Sequence, residues 1–454
     1  MLYIYRNKKN PLSLFAEIVV CILLLLFISI RFFGLNININ ILSFLVLLNS
    51  IAMIVLVFTN KTIYHSGALM MFFLYNLLVN NGFVIAMFIK DDYATFQSVT
   101  SMAFLYNDYY IEAILIANIV LSFFSLTLLY SRKNSLDFKD VTVNNDDIGS
   151  STANIIGLSL ISFATLFTAY LLFSNGLWFN GYQSTINALE NTVFQHIVII
   201  ASLGIAFLIS DGTKEYVHLG MIIFGLYSVL QFAMGNRGEV FYAAVICFAL
   251  YSLRFKSISY KHIIFAGIAV ILLIPLIRIS RELKVDEYTL NPFVSFLDVL
   301  AEEGIEISPF TYIVQYVNTK SGYVWGMTYI SDFTDFIFRR IGLSNPFSIE
   351  RYVIKEIMPY NGMAFSMIAE MYYNFTVVGA SALFAIIGQC IRNFDKKIYA
   401  NELKGVSRIG GSMILVELIN LTRNDASTLP VYLTYAFLII CLYKILNPLL
   451  KRNA

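Results

Sequence analysis

Runs of about 20 apolar residues recur along this chain, and at 1.5 Å per helical residue that length matches the hydrocarbon core of a bilayer. Twelve such runs can be read, near 12–33, 39–59, 67–89, 110–130, 153–174, 193–210, 216–234, 239–255, 262–277, 366–388, 406–421 and 429–446. Short polar or turn-rich stretches such as NKTIYHS and DGTKE separate them. Apolar residues make up 58% of the chain and charged ones 13%, against roughly 45–50% and 25% in an ordinary globular domain. The reading is an all-α polytopic membrane protein of about twelve transmembrane helices. The first run is about 20 residues long, exceeds the apolar core of a signal peptide, and has no small-residue cleavage site after it, so it reads as a retained span. No internal repeat of the kind that builds duplicated transporters is visible.

Lysine and arginine set the expected orientation. With the N-terminus in the cytoplasm, the loops on that side carry Arg6, Lys8, Lys9, Arg132, Lys133, Lys214, Arg254, Arg392, Lys396, Lys397, Arg408 and Lys451 among others. The short loops on the other face hold little beyond Lys90, Arg237 and Arg423. Both termini are therefore expected in the cytoplasm. The chain divides into helices 1–9 over residues 1–277, a large extracytoplasmic loop over 278–365, and helices 10–12 over 366–454.

That loop contains PFVSFLDVLAEEG, PFTYIVQYVNT and TYISDFTDFIFRRIG, each with apolar residues at helical spacing and a Pro or Gly boundary. They read as short amphipathic helices lying against the outer face. The net charge of +2 and the lack of a basic stripe argue against a nucleic-acid partner. Cys21, Cys247, Cys390 and Cys441 fall in or beside apolar runs without metal-ligand spacing, and the four histidines are scattered. No cofactor or metal is expected.

Arginine in a short outer turn runs against the positive-inside bias and needs a reason. Arg237 sits in GNRGEV, Arg423 in LTRNDAS, and Arg278 and Arg281 open the large loop. A guanidinium binds phosphate oxygens bidentately and keeps its charge, which suits a diphosphate at a membrane surface without a metal. The plainer reading of each is snorkelling to lipid headgroups or pairing with an acid such as Glu239. Glu370, a few residues into its span, is an expensive residue to place in a membrane helix and so a functional candidate. Asn374, four residues on, shares its face and is placed to support it. A structural hydrogen bond to a neighbouring helix is the alternative. Asp425 is the other outer acid, a base for a hydroxyl or a counter-ion for Arg423. His196 reads as a bundle hydrogen-bonder, and Trp178, Tyr182, Trp325 and Tyr329 as sugar platforms or interfacial anchors.

The G-x-R-x-E turn over Gly235–Glu239, the late outer loop and the re-entry GMAFSMIAEMYYNFTVVGA resemble the Wzy-type O-antigen and capsular polysaccharide polymerases. The matching re-entry positions are Gly362, Ser366, Ile368, Ala369, Glu370, Asn374, Phe375 and Gly379. The family often has Gly directly after Asn-Phe; this chain has Thr376, a departure expected to touch packing more than chemistry. The resemblance implies a multi-pass enzyme of a bacterial plasma membrane. Its substrates would be oligosaccharide repeat units on undecaprenyl diphosphate, joined by glycosyl transfer at the outer face. Membrane lipids, and the flippase and chain-length regulator of the same route, would be its partners. On this reading Arg237, Arg278, Arg281 and Arg423 hold the diphosphate, Glu370 or Asp425 is the base, and Glu239 and Asn374 support them. A surface-polysaccharide ligase is the nearest alternative. A lipid-linked oligosaccharide flippase would carry charges along a central cavity and lack the large loop.

Overall fold

The computed structural model describes residues 10–60, 63–90, 102–129, 149–177, 191–234, 236, 238–255, 292–346, 366–424 and 426–452. Arg237, Arg278, Arg281, Asp425, Trp178, Tyr182 and the run at 262–277 lie outside them, as does the side chain of Glu239.

Among the described residues the secondary structure is helical throughout. In chain order the α-helices are α1 (Pro11–Phe33), α2 (Ile39–Thr59), α3 (Ala68–Lys90), α4 (Tyr110–Thr127), α5 (Ser151–Ser174), α6 (Asn191–Asp211), α7 (Lys214–Ala233), α8 (Gly238–Phe255), α9 (Pro292–Glu303), α10 (Ile307–Tyr316), α11 (Met327–Arg340), α12 (Met367–Tyr399), α13 (Gly405–Asn420) and α14 (Leu429–Arg452). Eight helices of the described residues are long and apolar enough to cross a membrane, and the apolar stretches His196–Asp211 and Val240–Phe255 are shorter. The lipid-facing surface is visible on α1, where Phe15, Ile18, Ile22 and Leu25 are exposed while Val20, Leu23 and Phe27 face the bundle.

A polar layer joins α2, α3 and α4 near their midpoints. Asn49 donates to Asn118 (3.2 Å) and Ser122 (2.9 Å), Asn118 donates to Asn81 (3.1 Å), and Asn81 donates to Ser50 (2.9 Å). Buried amides in an apolar bundle must find each other, since lipid offers them no partner.

The end of the bundle where α3 finishes and α4 begins is here called the upper end. At the lower end, buried arginines satisfy helix C-termini: Arg392 donates to the Leu128 carbonyl (3.0 Å) and Arg254 to that of Ile209 (2.7 Å). Arg408 pairs with Asp211 (2.8 Å), which also accepts from the Tyr443 hydroxyl (2.8 Å). A cation at a helix C-terminus meets both the orphan carbonyls and the negative end of the dipole.

The three loop helices form, but the first two do not lie on the outer face. The α9 helix descends along α3, tied at the top by the Lys90–Asp298 pair (3.1 Å). A short 3-10 turn, Gly304–Glu306, reverses the chain, and α10 climbs back beside α4 until Gln315 accepts from Asn107 (2.8 Å). At the bottom Gly304 meets Gly82: a Cβ on Gly304 would run into the Phe83 nitrogen and the Gly82 backbone. Gly82 is one residue from Asn81 of the polar layer. The two helices thus form a re-entrant hairpin reaching the mid-level of the bundle. Residues 307–314 are all buried, which is how a turn at that depth avoids lipid.

Candidate functional site

Two neighbouring features at the upper end hold the candidates. The first is a knot around Glu370. The Ser366 hydroxyl caps α12 by accepting from the Ala369 N–H (3.3 Å), as expected of Ser at that position. Glu370, in the first turn, is 2% exposed. Its carboxylate accepts from the Thr328 hydroxyl of α11 (2.7 Å) and from the Ala426 N–H (2.9 Å). Asn374 donates to the Thr328 hydroxyl (2.7 Å) and to the Glu370 carbonyl (2.8 Å). The pairing of Glu370 and Asn374 on one face is as the sequence spacing implies. Thr328, which joins them, has no sequence signal.

Just past Asn374 the helix breaks. Phe375 has φ −136°, ψ 18°, and Thr376 has φ 66°, ψ 178°. The latter is a region almost reserved to glycine, costing about 1–3 kcal/mol for other residues. The carbonyls freed on the upper side are taken by the loop before α11: Val324 N–H donates to Tyr373 (3.1 Å) and Trp325 N–H to Asn374 (3.0 Å). Tyr329 stacks on Phe375 with ring centroids 6.2 Å apart. Thr376 therefore bears on backbone geometry, whereas the sequence pointed to packing.

The second feature is a cavity of about 360 Å³ beside this knot, formed by α6, α8, α13, α14 and the turn between the last two. His196, Tyr242, Asn420, Asn424, Thr428 and Tyr432 supply its polar lining. Its size falls in the range of small-molecule sites. Below it, Glu417 of α13 accepts from Thr428 (2.7 Å) and Asn420 (3.2 Å), fixing two lining residues. Sequence reasoning passed over Glu417, although an acid inside ILVELIN carries the same signal as Glu370. The Nδ1 of His196 has no hydrogen-bond partner, so its role as a bundle hydrogen-bonder is not realised at that atom.

Arg423 sits in a cluster of its own, linked to the cavity wall through Tyr75, whose ring lies 5.5 Å from that of Tyr242. Its Nε and Nη1 donate to Glu306 (3.1 Å) and Glu303 (3.0 Å) at the base of the re-entrant hairpin. Tyr75 donates to the same Glu303 oxygen (3.4 Å). Arg339, exposed in the last turn of α11, also borders the cavity; the sequence showed it only as part of an amphipathic helix.

The fold and these features define a polytopic helical membrane protein with a polar cavity at one end of its bundle, where Arg339 is the charged side chain among the described lining residues. A family model described as O-antigen polysaccharide polymerase Wzy matches residues 17–453, and the chain belongs to that family. Among curated proteins, Protein CapE of Staphylococcus aureus is 25% identical over 308 residues, 63% of this chain and 65% of CapE. The match thus spans slightly under two thirds of that relative's length. No solved structure matches the chain.

Proposed function

We propose that the protein joins oligosaccharide repeat units carried on undecaprenyl diphosphate into a surface polysaccharide, at the outer face of a bacterial plasma membrane. The observation that carries this reading is the family match across residues 17–453, to which the cavity adds a polar, largely uncharged space suited to sugar hydroxyls. The transfer makes a glycosidic bond from the anomeric carbon of the growing chain to a hydroxyl of the incoming unit. The bond from that carbon to the lipid diphosphate breaks, and the hydroxyl proton passes to a base. Arg237, Arg278 and Arg281 are assigned to the departing diphosphate, whose charge fixed guanidinium donors stabilise without a metal.

Asp425 is assigned as the base. Asn424, directly before it, and Ser427, two residues after it, both line the cavity. Glu370 is then a positioning residue. Its carboxylate oxygens hold the Thr328 hydroxyl and the Ala426 N–H, which anchors the turn at 426–428 to α11 and α12. Arg423, engaged by Glu303 and Glu306, braces the hairpin.

The test is polymerisation by purified protein in liposomes, given a lipid-diphosphate repeat unit from its host in the presence of EDTA. Wild type is expected to give a ladder of products, Asp425→Asn none, and Glu370→Gln a weakened ladder together with a lower melting temperature. Transport of the substrate across the bilayer with no ladder would replace the polymerase by a flippase.

A further inference from the structure

The cavity raises a question of charge. Its polar lining is made of amides, hydroxyls, tyrosines and His196, groups that suit sugars and give no strong hold on an anion. Arg423, which alone of the four arginines singled out in the sequence falls among the described residues, donates to two carboxylates. Arg339 differs on both counts: it borders the cavity, it is exposed, and its guanidinium makes no hydrogen bond or ion pair among the described residues.

Its neighbour supplies a contrast. Arg340 is equally exposed, but its guanidinium lies over the Phe336 ring, 5.3 Å from the centroid, and it does not line the cavity. Both residues sit in the last turn of α11, where any cation is favoured by the helix dipole. The dipole accounts for either arginine; the position at the cavity belongs to Arg339 alone. The helix that carries it is held to the Glu370 knot through Thr328, so its last turn is placed by the same contacts that place the turn at 426–428.

We propose that Arg339 is an anion-binding residue at the mouth of this cavity, where it seats an oxyanion of the lipid-linked substrate while the amide and hydroxyl lining receives the sugars. The assignment rests on the polymerase reading. Two parts of such a substrate offer an oxyanion, the diphosphate and the carboxylate of an acidic sugar, and a guanidinium meets either bidentately.

Full-length protein in detergent would be titrated with undecaprenyl diphosphate and, separately, with an oligogalacturonate. Arg339→Ala, Arg339→Lys and Arg340→Ala would be compared with wild type. Losing a charge-assisted contact predicts that Arg339→Ala weakens one of the two probes by about 10-fold to 100-fold. The probe that weakens names the source of the oxyanion. Arg339→Lys should recover part of the affinity, and Arg340→Ala should bind as wild type with whatever small melting shift the helix end imposes. The proposal is overturned if wild type binds neither probe, if Arg339→Ala binds both normally, or if Arg340→Ala loses as much as Arg339→Ala. Absence of a product ladder from wild type would sink the polymerase reading. A normal ladder with unchanged binding by Arg339→Ala would sink this assignment alone.

Discussion

The base of the re-entrant hairpin and the cavity are linked through the ring contact of Tyr75 with Tyr242, and they use polar groups in opposite ways. At the hairpin, Arg423 donates to Glu303 and Glu306, and Tyr75 closes the cluster. At the cavity, Glu417 is a buried acid whose hydrogen bonds hold lining residues in place, and among the described residues His196 Nδ1 has no hydrogen-bond partner and Arg339 no ion pair. A cluster that satisfies itself stabilises the fold. A lined space with unspent donors and acceptors is where a ligand gains most. Charge type and depth alone do not separate the two; the partner list does.

The sharpest way to break this contrast is Arg423→Met. It strands two acids in a buried place, and about 3–5 kcal/mol of stability should go with it, read as a large drop in melting temperature in detergent. Adding Glu303→Gln and Glu306→Gln should restore much of the loss, because the stranded charge is gone. If Arg423→Met melts like wild type but no longer binds undecaprenyl diphosphate, the hairpin cluster belongs with the ligand and the contrast collapses.

Next in size is Gly304→Ala. The added methyl would meet the Phe83 nitrogen and the Gly82 backbone, and neither can rotate away. Overpacking of this kind costs about 1–3 kcal/mol, and the expected result is a lower melting temperature with α9 more open to proteolysis. Thr376→Gly should move the other way by about 1 kcal/mol or more, since it relieves a backbone conformation that only glycine adopts freely.

The smallest stability effect belongs to the cavity: Asn424→Ala should shift the melting temperature little, within about 1 kcal/mol, and still reduce chain growth.

The spans were legible because the bilayer fixes their length. The runs read at 39–59 and 153–174 appear as Ile39–Thr59 and Ser151–Ser174, and an apolar stretch of that size has few other fates. The hairpin was not legible. PFVSFLDVLAEE has the same helical periodicity whether it floats on a surface or descends beside α3, and what separates the cases is a contact between Gly82 and Gly304, more than 200 positions apart. The pairing of Glu370 with Asn374 could be read, since four residues make one helical turn. Thr328, Glu303 and Glu306 could not, because each reaches its partner only through the tertiary fold. Thr376 shows a third kind of limit: the departure from Gly was visible, and its meaning waited on a dihedral angle.

The break in α12 has a mechanical consequence. A continuous helix is a lever, and a push at one end arrives at the other. Here the segment from Met367 to Asn374 is cut off at Phe375 and stitched through its last carbonyls to Val324 and Trp325. Torque from the long lower shaft has no ladder to climb past that point. Glu370 is therefore fastened to α11 and to the turn at 426–428, on the far side of the break from the shaft.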